Sequence, residues 1–305
     1  MARRSGPELV PITFVNTCQR AGQGGQGGRP TAVLDDLEMD DEERRALPAL
    51  LGTSHVVFVA APASTPDGGE AVGLRFFTSA GELPACGHGT VAALTYLASR
   101  STGRSFHTRL SAGERVFDGQ AIRIGDGFLV SFDPGPVALR AATEEETAGV
   151  LDALGLTAAQ LAGPPVVGSV GRERMLVPVW DTATLAALAP DLDRLRRACD
   201  PTELLGCYVW TVPAASGRGA ARMFAPSVGI DEDIANANGT ACLAAHLTGL
   251  GIDHISIDMG DAVGVPSTVV ASTSPAPGGF LVSVGGHASI DRHPTVPGYQ
   301  RSSST

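Results

Sequence analysis

Residues 86–99, with the sequence CGHGTVAALTYLAS, and residues 236–250, with the sequence NANGTACLAAHLTGL, follow one pattern about 150 residues apart. In each, a short turn that ends in Gly-Thr leads into an uncharged stretch. An Arg-x-Phe segment typical of a strand precedes each turn, at residues 75–77 and 222–224. The repeated order of strand, loop, turn and helix predicts a duplicated half-protein with two equivalent helix starts.

The two uncharged stretches predict helices that are apolar on nearly every side. Residues 91–97, VAALTYL, leave no charged face, so other elements must wrap such a helix in water. Short strand-like segments with Gly and Asp turns accompany both helices in the sequence. We therefore predict an α+β fold with two pseudo-symmetric domains, each an antiparallel, barrel-like β-sheet wrapped around a central apolar helix.

A linker signal divides the chain into these domains. Residues 133–136, DPGP, combine residue types that break both helices and strands. The predicted N-terminal domain is residues 1–132, and the predicted C-terminal domain is residues 133–283. The polar residues 299–305 are expected to form a disordered tail.

Each predicted helix start is a place for negative charge. The positive end of the helix dipole and the first backbone amides attract anions. Asn238 has the residue type of an N-cap, and its side chain with the amides of Gly239 and Thr240 can hold a carboxylate. The amides of Gly89 and Thr90 can do the same in the first half. If the halves face each other, both helix starts converge on one cleft for an anionic small molecule.

Composition excludes several classes of protein. The formal charge of −10 disfavours nucleic acid and anionic membrane surfaces as partners, and the apolar stretches are too short and too polar to span a bilayer. Five dispersed cysteines suit a reducing compartment, which predicts a cytoplasmic protein. All 22 basic residues are Arg, which excludes lysine Schiff bases, pyridoxal phosphate aldimines and a phosphate-loop lysine.

Three segments carry a resemblance to a known family. Residues 82–90, ELPACGHGT, resemble the ELPxCGHAT motif of the PhzF-like phenazine biosynthesis family. Residues 222–233, RMFAPSVGIDED, resemble its second signature, RMFAPxxGxxED. Residues 28–33, GRPTAV, resemble its GNPxAV segment, so the likeness spans nearly the whole chain.

The resemblance implies a diaminopimelate-epimerase-like fold, in which the C-terminal strand, here about 284–298, returns to the first domain. Enzymes of this family use no cofactor and no metal, and homodimers are common among them. Their type reaction is an isomerisation that moves a proton across a conjugated amino or hydroxy acid.

Carried over by position, the resemblance implies three catalytic residues. His88 matches the histidine of the family, and Asp233 matches its aspartate. His55 stands where a stretch similar to LSETxFV has the catalytic Glu. Other positions also depart from the family pattern, because Arg29 replaces the Asn of GNP and residues 236–238, Asn-Ala-Asn, replace a TGS turn.

Two interpretations of His55 remain open. A free imidazole titrates near pH ~6.5, so His55 can act as a general base without tuning, whereas a Glu needs burial to raise its pKa for the same task. The alternative is a hydrogen-bonded strand histidine in a protein that lost its activity. His88 is expected in the first turn of a helix, where the dipole disfavours the protonated ring and a neutral ring can position substrate.

The remaining candidates concern substrate binding. Asn236, Asn238, Gly239 and Thr240 form one turn for a carboxylate, together with Gly89 and Thr90 in the other half. Arg29 follows the glycine-rich residues 22–28 and either closes on a substrate carboxylate or is an exposed loop side chain.

Two further kinds of site are disfavoured. A pair of catalytic thiols is disfavoured because Cys86 has its counterpart in Asn236, which cannot move protons. A metal site at His55, His88 and Asp233 lacks any local spacing in its favour.

The resemblance implies that the chain is a cofactor-independent isomerase. It is expected to move a proton, with double-bond migration, on a small unsaturated amino or hydroxy carboxylic acid in secondary-metabolite (antibiotic) biosynthesis. The alternatives are a non-catalytic small-molecule binder that kept the fold, and a lyase, cyclase or epimerase that uses the same acid–base site.

Overall fold

The computed structural model describes residues 11–20, 27–36, 39–277 and 279–291. The described chain forms two compact units. Unit 1 takes its residues from Met1–Thr17, Arg29–Val130 and Ala288–Thr305, and unit 2 takes its residues from Cys18–Gly28 and Ser131–His287. The predicted tail, most of the predicted glycine-rich loop and the end of the predicted last strand lie outside the described residues.

The elements that lie wholly or mostly in unit 1 come first in the chain, and the last two residues of β1 and of β8 belong to unit 2. In order they are β1 (Thr13–Gln19), β2 (Arg29–Asp35), α1 (Asp41–Leu51), β3 (Val56–Ser64), β4 (Glu70–Thr78), β5 (Gly81–Leu83), α2 (Gly87–Ser99), β6 (Ser105–Ala112), β7 (Arg115–Ile124) and β8 (Gly127–Phe132).

The elements of unit 2 follow. In order they are β9 (Ala138–Ala141), α3 (Glu144–Leu154), β10 (Val166–Val170), β11 (Arg172–Val179), α4 (Thr182–Ala186), α5 (Leu192–Cys199), β12 (Cys207–Thr211), β13 (Arg218–Ala225), β14 (Ile230–Asp233), α6 (Ala237–Thr248), β15 (His254–Met259), β16 (Ser267–Ala276) and β17 (Gly279–Ile290). The last residues of β17, from Ala288, belong to unit 1.

The two units share one order of strand pairing. In unit 1, β2 pairs antiparallel with β1 and parallel with β3, β4 pairs antiparallel with β3 and β5 and parallel with β6, and β6 pairs antiparallel with β7. In unit 2, β10 to β16 repeat this order, with the same parallel and antiparallel pairs. The duplication predicted from the sequence is therefore present in the strand topology.

A central helix is wrapped by strands in each unit. α2 contacts β2, β3, β4 and β7, and α6 contacts β9, β10, β11, β15 and β16. Most residues of both helices are buried, which explains why their sequences lack a charged face. The other helices pack elsewhere: α1 adds Leu47 and Leu51 to a core with Phe58 and Phe77, and α3 and α5 add to a separate core in unit 2.

The predicted fold class, a duplicated α+β fold with a sheet wrapped around each helix, is confirmed. The sheets differ from the expectation in one respect, because each unit contains two parallel pairs among its antiparallel ones. Parallel pairs join strands that are distant along the chain, so the local alternation of residues could not reveal them.

The strand registers give an equivalence between the units residue by residue. Ala32 pairs with Val56, which pairs with Phe77. In unit 2 the same places are held by Met175, Cys207 and Phe224. One residue earlier along these strands, Thr31 is therefore equivalent to Arg174, and His55 is equivalent to Gly206. The main chain agrees, since the His55 carbonyl accepts from the Ala32 amide at 3.4 Å and the Gly206 carbonyl accepts from the Met175 amide at 3.0 Å.

Candidate active site

The start of α2 is built by Cys86. Its thiol Sγ accepts a hydrogen bond from the Gly89 amide at 3.3 Å, and its carbonyl accepts from both the amide and the Oγ1 of Thr90, each at 2.9 Å. Gly89 has no room for a side chain, because a Cβ atom there would lie 2.5 Å from the Phe76 ring. Cys86 is thus the N-cap of the helix, and the glycine lets the first turn lie directly on the sheet.

Two histidines of unit 1 lie beside this helix start. His55 is half-buried in the residue before β3, and its Nδ1 is 2.8 Å from Ser54 Oγ. His88 is buried in the first turn of α2, as predicted. The two ring centroids are 6.2 Å apart, with the ring planes tilted by 36°. The structure therefore brings two of the three predicted catalytic side chains together within one unit.

The start of α6 repeats that of α2 with an amide in place of the thiol. Asn236 Oδ1 accepts from the Gly239 amide at 2.6 Å, and the Asn236 carbonyl accepts from the amide and the Oγ1 of Thr240 at 3.1 and 2.9 Å. A Cβ at Gly239 would lie 2.4 Å from the Tyr208 ring. Asn238, which the sequence predicts as the N-cap, is instead inside the helix, and Asn236 is the cap.

Asp233 lies in β14, three residues before this cap. Its Oδ2 accepts from Asn236 Nδ2 at 2.9 Å. Asn236 Oδ1 also accepts from Nη1 of Arg174 at 3.2 Å. Asp233 and Asn236 therefore share one hydrogen-bonded group in unit 2, and this group includes an arginine that the sequence motifs did not single out.

Tyr208 holds the first turn of α6 in place. Its hydroxyl lies 2.8 Å from Thr240 Oγ1 and is buried. Burial raises the pKa of the Tyr208 phenol above its ordinary value, so the group stays neutral at physiological pH and serves as a hydrogen-bond partner.

A matched ion pair supports each helix start. In unit 1, Arg75 contacts both oxygens of Glu82, at 2.8 and 2.6 Å. In unit 2, Arg222 contacts both oxygens of Glu232, at 3.0 and 2.8 Å. The guanidinium carbons also lie over rings two residues along, 5.0 Å from Phe77 and 4.9 Å from Phe224. We call this two-point contact of an Arg with both oxygens of a Glu a fork. The fork explains the repeated Arg-x-Phe pattern, because the Arg joins β4 to β5, or β13 to β14, just before the helix turn.

The amides proposed from sequence for carboxylate binding are engaged within the caps. Gly89, Thr90, Gly239 and Thr240 each donate to their N-cap residue. Helix geometry provides no intrahelical acceptor for the two amides that come before them in each helix. The four amides predicted to bind a carboxylate therefore already have acceptors within the caps, and carboxylate binding at the helix starts stays a prediction.

Arg29 opens β2, where it pairs with Thr17 of β1. Its carbonyl accepts from Thr17 Oγ1 at 3.0 Å, and the residue is half-buried. The main chain at this position is thus fixed by the sheet, and the role of its side chain in substrate binding stays a prediction.

The two helix starts differ in the group that accompanies them. Gly206 occupies the place that His55 has in unit 1, and a Cβ there would lie 1.9 Å from the Phe224 carbonyl oxygen. Arg174 occupies the place of Thr31 and is 1% exposed. Sequence reasoning missed Arg174 because it ends the charged run Arg-Glu-Arg at residues 172–174, which resembles an ordinary solvent-exposed start of a strand. Only the strand register shows its equivalence.

Other kinds of site find no support in the described residues. Within the ranges that the structure covers, no group of three or more His, Cys, Asp or Glu side chains is arranged to hold a metal ion. The helices of the described chain also lack one long and apolar enough to cross a membrane.

Comparison with known proteins decides the family. The family model described as phenazine biosynthesis-like protein, PhzC-PhzF, matches residues 21–293. The chain belongs to this family. A solved structure, described as a predicted epimerase from Pseudomonas aeruginosa, is 26% identical to this chain, with a TM-score of 0.72 over 92% of this chain and 96% of that one.

Curated relatives of this PhzF-like chain carry isomerase names. It is 30% identical to an uncharacterized isomerase of Deinococcus radiodurans, over 90% of this chain and 91% of that protein. It is 32% identical to the uncharacterized isomerase YddE of Escherichia coli O157:H7, over 55% of this chain and 58% of that protein. It is 26% identical to trans-2,3-dihydro-3-hydroxyanthranilate isomerase of Pseudomonas fluorescens, over 80% of this chain and 84% of that protein. The chain is thus an enzyme of the isomerase class.

Proposed function

We propose that this enzyme moves a proton, with migration of a double bond, on a small unsaturated amino or hydroxy carboxylic acid, without a cofactor. The observation that carries the proposal is the pair of imidazole rings, His55 and His88, 6.2 Å apart at the start of α2. Membership of an isomerase family supports the reaction class. Proton transfer by positioned side chains is sufficient chemistry for such a shift.

His55 is assigned the role of general base. Its Nδ1 is tied to Ser54 Oγ at 2.8 Å, so Nε2 is the atom that receives the proton from a carbon of the substrate. In that arrangement Nδ1 carries the ring proton and donates it to the serine oxygen. An imidazole replaces the Glu of the family motif, and free imidazole is already suited to proton exchange near neutral pH.

His88 is assigned the role of hydrogen-bond donor to the substrate. It lies in the first turn of α2, where the helix dipole favours negative charge. A substrate carboxylate, or the enolate-like oxygen that forms as the proton leaves, is stabilised there by the first helix amides and the imidazole. The start of α2 in unit 1 therefore provides the groups that stabilise the negative charge of this substrate class.

Asp233 is assigned the role of hydrogen-bond acceptor for an amine or hydroxyl of the substrate. One of its oxygens, Oδ2, is engaged by Asn236 Nδ2, and Oδ1 has only a 3.4 Å contact with the Ala235 amide. Oδ1 is thus the oxygen offered to a ligand. The relative named for trans-2,3-dihydro-3-hydroxyanthranilate acts on a compound that carries a carboxylate, an amine and a hydroxyl on three successive carbons, which supports this substrate class.

The biological setting follows from the same resemblance. We place the reaction in a secondary-metabolite pathway of the cytoplasm, because the family is named for phenazine biosynthesis and the dispersed cysteines suit a reducing compartment.

The test is deuterium uptake from heavy water, followed by NMR. Trans-2,3-dihydro-3-hydroxyanthranilate and related unsaturated amino and hydroxy acids are incubated with the enzyme, and the isomerised product should carry deuterium at one carbon. His55→Ala should lower the rate by about 100-fold or more, the usual contribution of a general base, while calorimetry shows retained binding. His55→Glu should restore part of the rate, because it restores the residue of the family motif.

The matched control is His107→Ala, which removes an exposed histidine of β6 in the same unit. It should leave uptake unchanged. Uptake by His55→Ala at the wild-type rate would contradict the assigned base. Tight binding of the same acids by the wild-type protein, with neither uptake nor isomerisation, would instead identify a small-molecule binder.

A further inference from the structure

Arg174 is a buried cation whose partners are neutral. Its side chain is 1% exposed, Nη1 donates to Asn236 Oδ1 at 3.2 Å, and Nη2 donates to the Arg172 carbonyl at 2.8 Å. Among the described residues, no carboxylate lies within salt-bridge distance of it, and its Nε has no acceptor. Burying a cation in this way is strongly unfavourable unless other groups compensate.

The position is not one that the fold requires to be charged. In unit 1 the equivalent residue of β2 is Thr31, which is fully buried and uncharged. The sheet of unit 1 therefore closes without a guanidinium at this place. The reason for the buried guanidinium in unit 2 must therefore lie in the group that Arg174 contacts.

That group is the amide of Asn236. Because Oδ1 accepts from both Arg174 Nη1 and the Gly239 amide, the other end of the amide, Nδ2, must point the opposite way. There it donates to Asp233 Oδ2 at 2.9 Å. Without the guanidinium, Oδ1 keeps one donor, the Gly239 amide, and the Asn236 side chain is held by one hydrogen bond fewer.

The charges on the two sides of the amide are opposite. Burial lowers the pKa of the Arg174 guanidinium from its ordinary value, and nearby groups, Asp233 among them, act in the other direction. An arginine remains protonated under such conditions. The amide dipole of Asn236 is therefore aligned between a cation and a carboxylate, which stiffens both hydrogen bonds.

We propose that Arg174 is a positioning residue, which holds the Asp233 carboxylate in place through the side-chain amide of Asn236. The inference rests on the role of Asp233 put forward above. It explains why β11 has the buried Arg174 at the position where β2 has Thr31.

The first experiment measures the amide directly and needs no activity. Proton exchange of the Asn236 side-chain amide is followed by nitrogen-15 NMR in the full-length protein, in Arg174→Met and in the control Arg194→Met, which removes an exposed arginine of the same unit. Exchange should be faster by roughly 10-fold or more in Arg174→Met and unchanged in the control. Equal exchange in all three proteins would overturn the inference.

The second experiment is a kinetic cycle with the deuterium-uptake assay. Arg174→Met should lower kcat by roughly 10- to 100-fold, as a displaced catalytic group does, with a smaller change in KM. If Arg174 acts through Asn236, the double variant Arg174→Met/Asn236→Ala should be no slower than the slower single variant. If the loss of kcat in the double variant equals the product of the losses in the two single variants, Arg174 has a structural role only and the inference is overturned.

Two controls keep the result interpretable. If Arg174→Met does not fold, Arg174→Lys replaces it, because an ammonium keeps the charge but lacks the two separate nitrogens with which the guanidinium contacts Asn236 and the Arg172 carbonyl. Full activity of Asp233→Asn would show that the proposed function of Asp233 has failed. Unchanged amide exchange in Arg174→Met would show instead that this inference has failed.

Discussion

The contact between Gly89 and the sheet gives a sharp prediction for Gly89→Ala. An added Cβ would lie 2.5 and 2.8 Å from two carbons of the Phe76 ring and 3.0 Å from Val57 Cγ2. Phe76 is 1% and Val57 0% exposed, so neither side chain can swing into solvent. The helix start must therefore move away from the strands.

The size of the effect follows from two opposing terms. Overpacking of a buried site costs about 1–3 kcal/mol, whereas Ala in place of Gly favours a helix by up to about 1 kcal/mol. The steric term is larger at a distance of 2.5 Å, so the free energy of unfolding should fall by about 1–2 kcal/mol. At about 2–4 °C per kcal/mol, Tm should fall by roughly 2–8 °C.

Thermal unfolding by circular dichroism measures this change, and Gly163→Ala is the matched control. Gly163 has open space around the position of a Cβ, and its φ lies outside the left-handed region, so the control should keep its Tm or gain slightly. Gly89→Ala should also lose deuterium uptake, because His88 moves with the helix start. Equal Tm values for the two variants would refute the steric reasoning.

Two further predictions concern the ion pairs. Arg222→Met should reduce the free energy of unfolding by several kcal/mol, because Arg222 and Glu232 are 12% and 8% exposed and the carboxylate is left buried without its partner. Arg75→Met should cost about 1 kcal/mol or less in urea unfolding, because Arg75 and Glu82 are 33% and 41% exposed, and equal losses for the two variants would contradict this difference. Arg140 lowers the pKa of Glu146 from 4.5 to about 2, so the wild type should lose stability as the pH falls from 4.5 toward 2, whereas Glu146→Gln should show a flatter profile in acid-unfolding titrations, and parallel profiles would exclude this contribution.

The fold was predictable because the determining residues are local and repeated. The forks of Arg75 and Arg222, and the glycines at 89 and 239, each leave a sequence mark within about 20 residues of the helix that they support. The uncharged helices were visible for the same reason. The parallel strand pairs were not predictable, since they depend on strands that meet only in the folded chain.

The candidate site was predictable in part. His55, His88 and Asp233 were predicted by their positions in motifs, and the rings of the first two lie 6.2 Å apart at one helix start. The N-cap of α6 was misplaced by two residues because the sequence Asn-Ala-Asn offers two candidates. Asn236 also accepts from Arg174, which lies 62 residues away along the chain, and this contact cannot be inferred from the turn alone.

The crowded backbone at Gly206 limits which side chains can be introduced at this position of unit 2. A histidine or glutamate introduced there, to mirror His55, would collide with the carbonyl oxygen of Phe224 on the next strand. At this pair of equivalent positions, unit 1 therefore has space for a side chain and unit 2 does not. Any descendant or redesign that needs a second acceptor, as a racemase working on both faces of a carbon does, has to recruit it from another element.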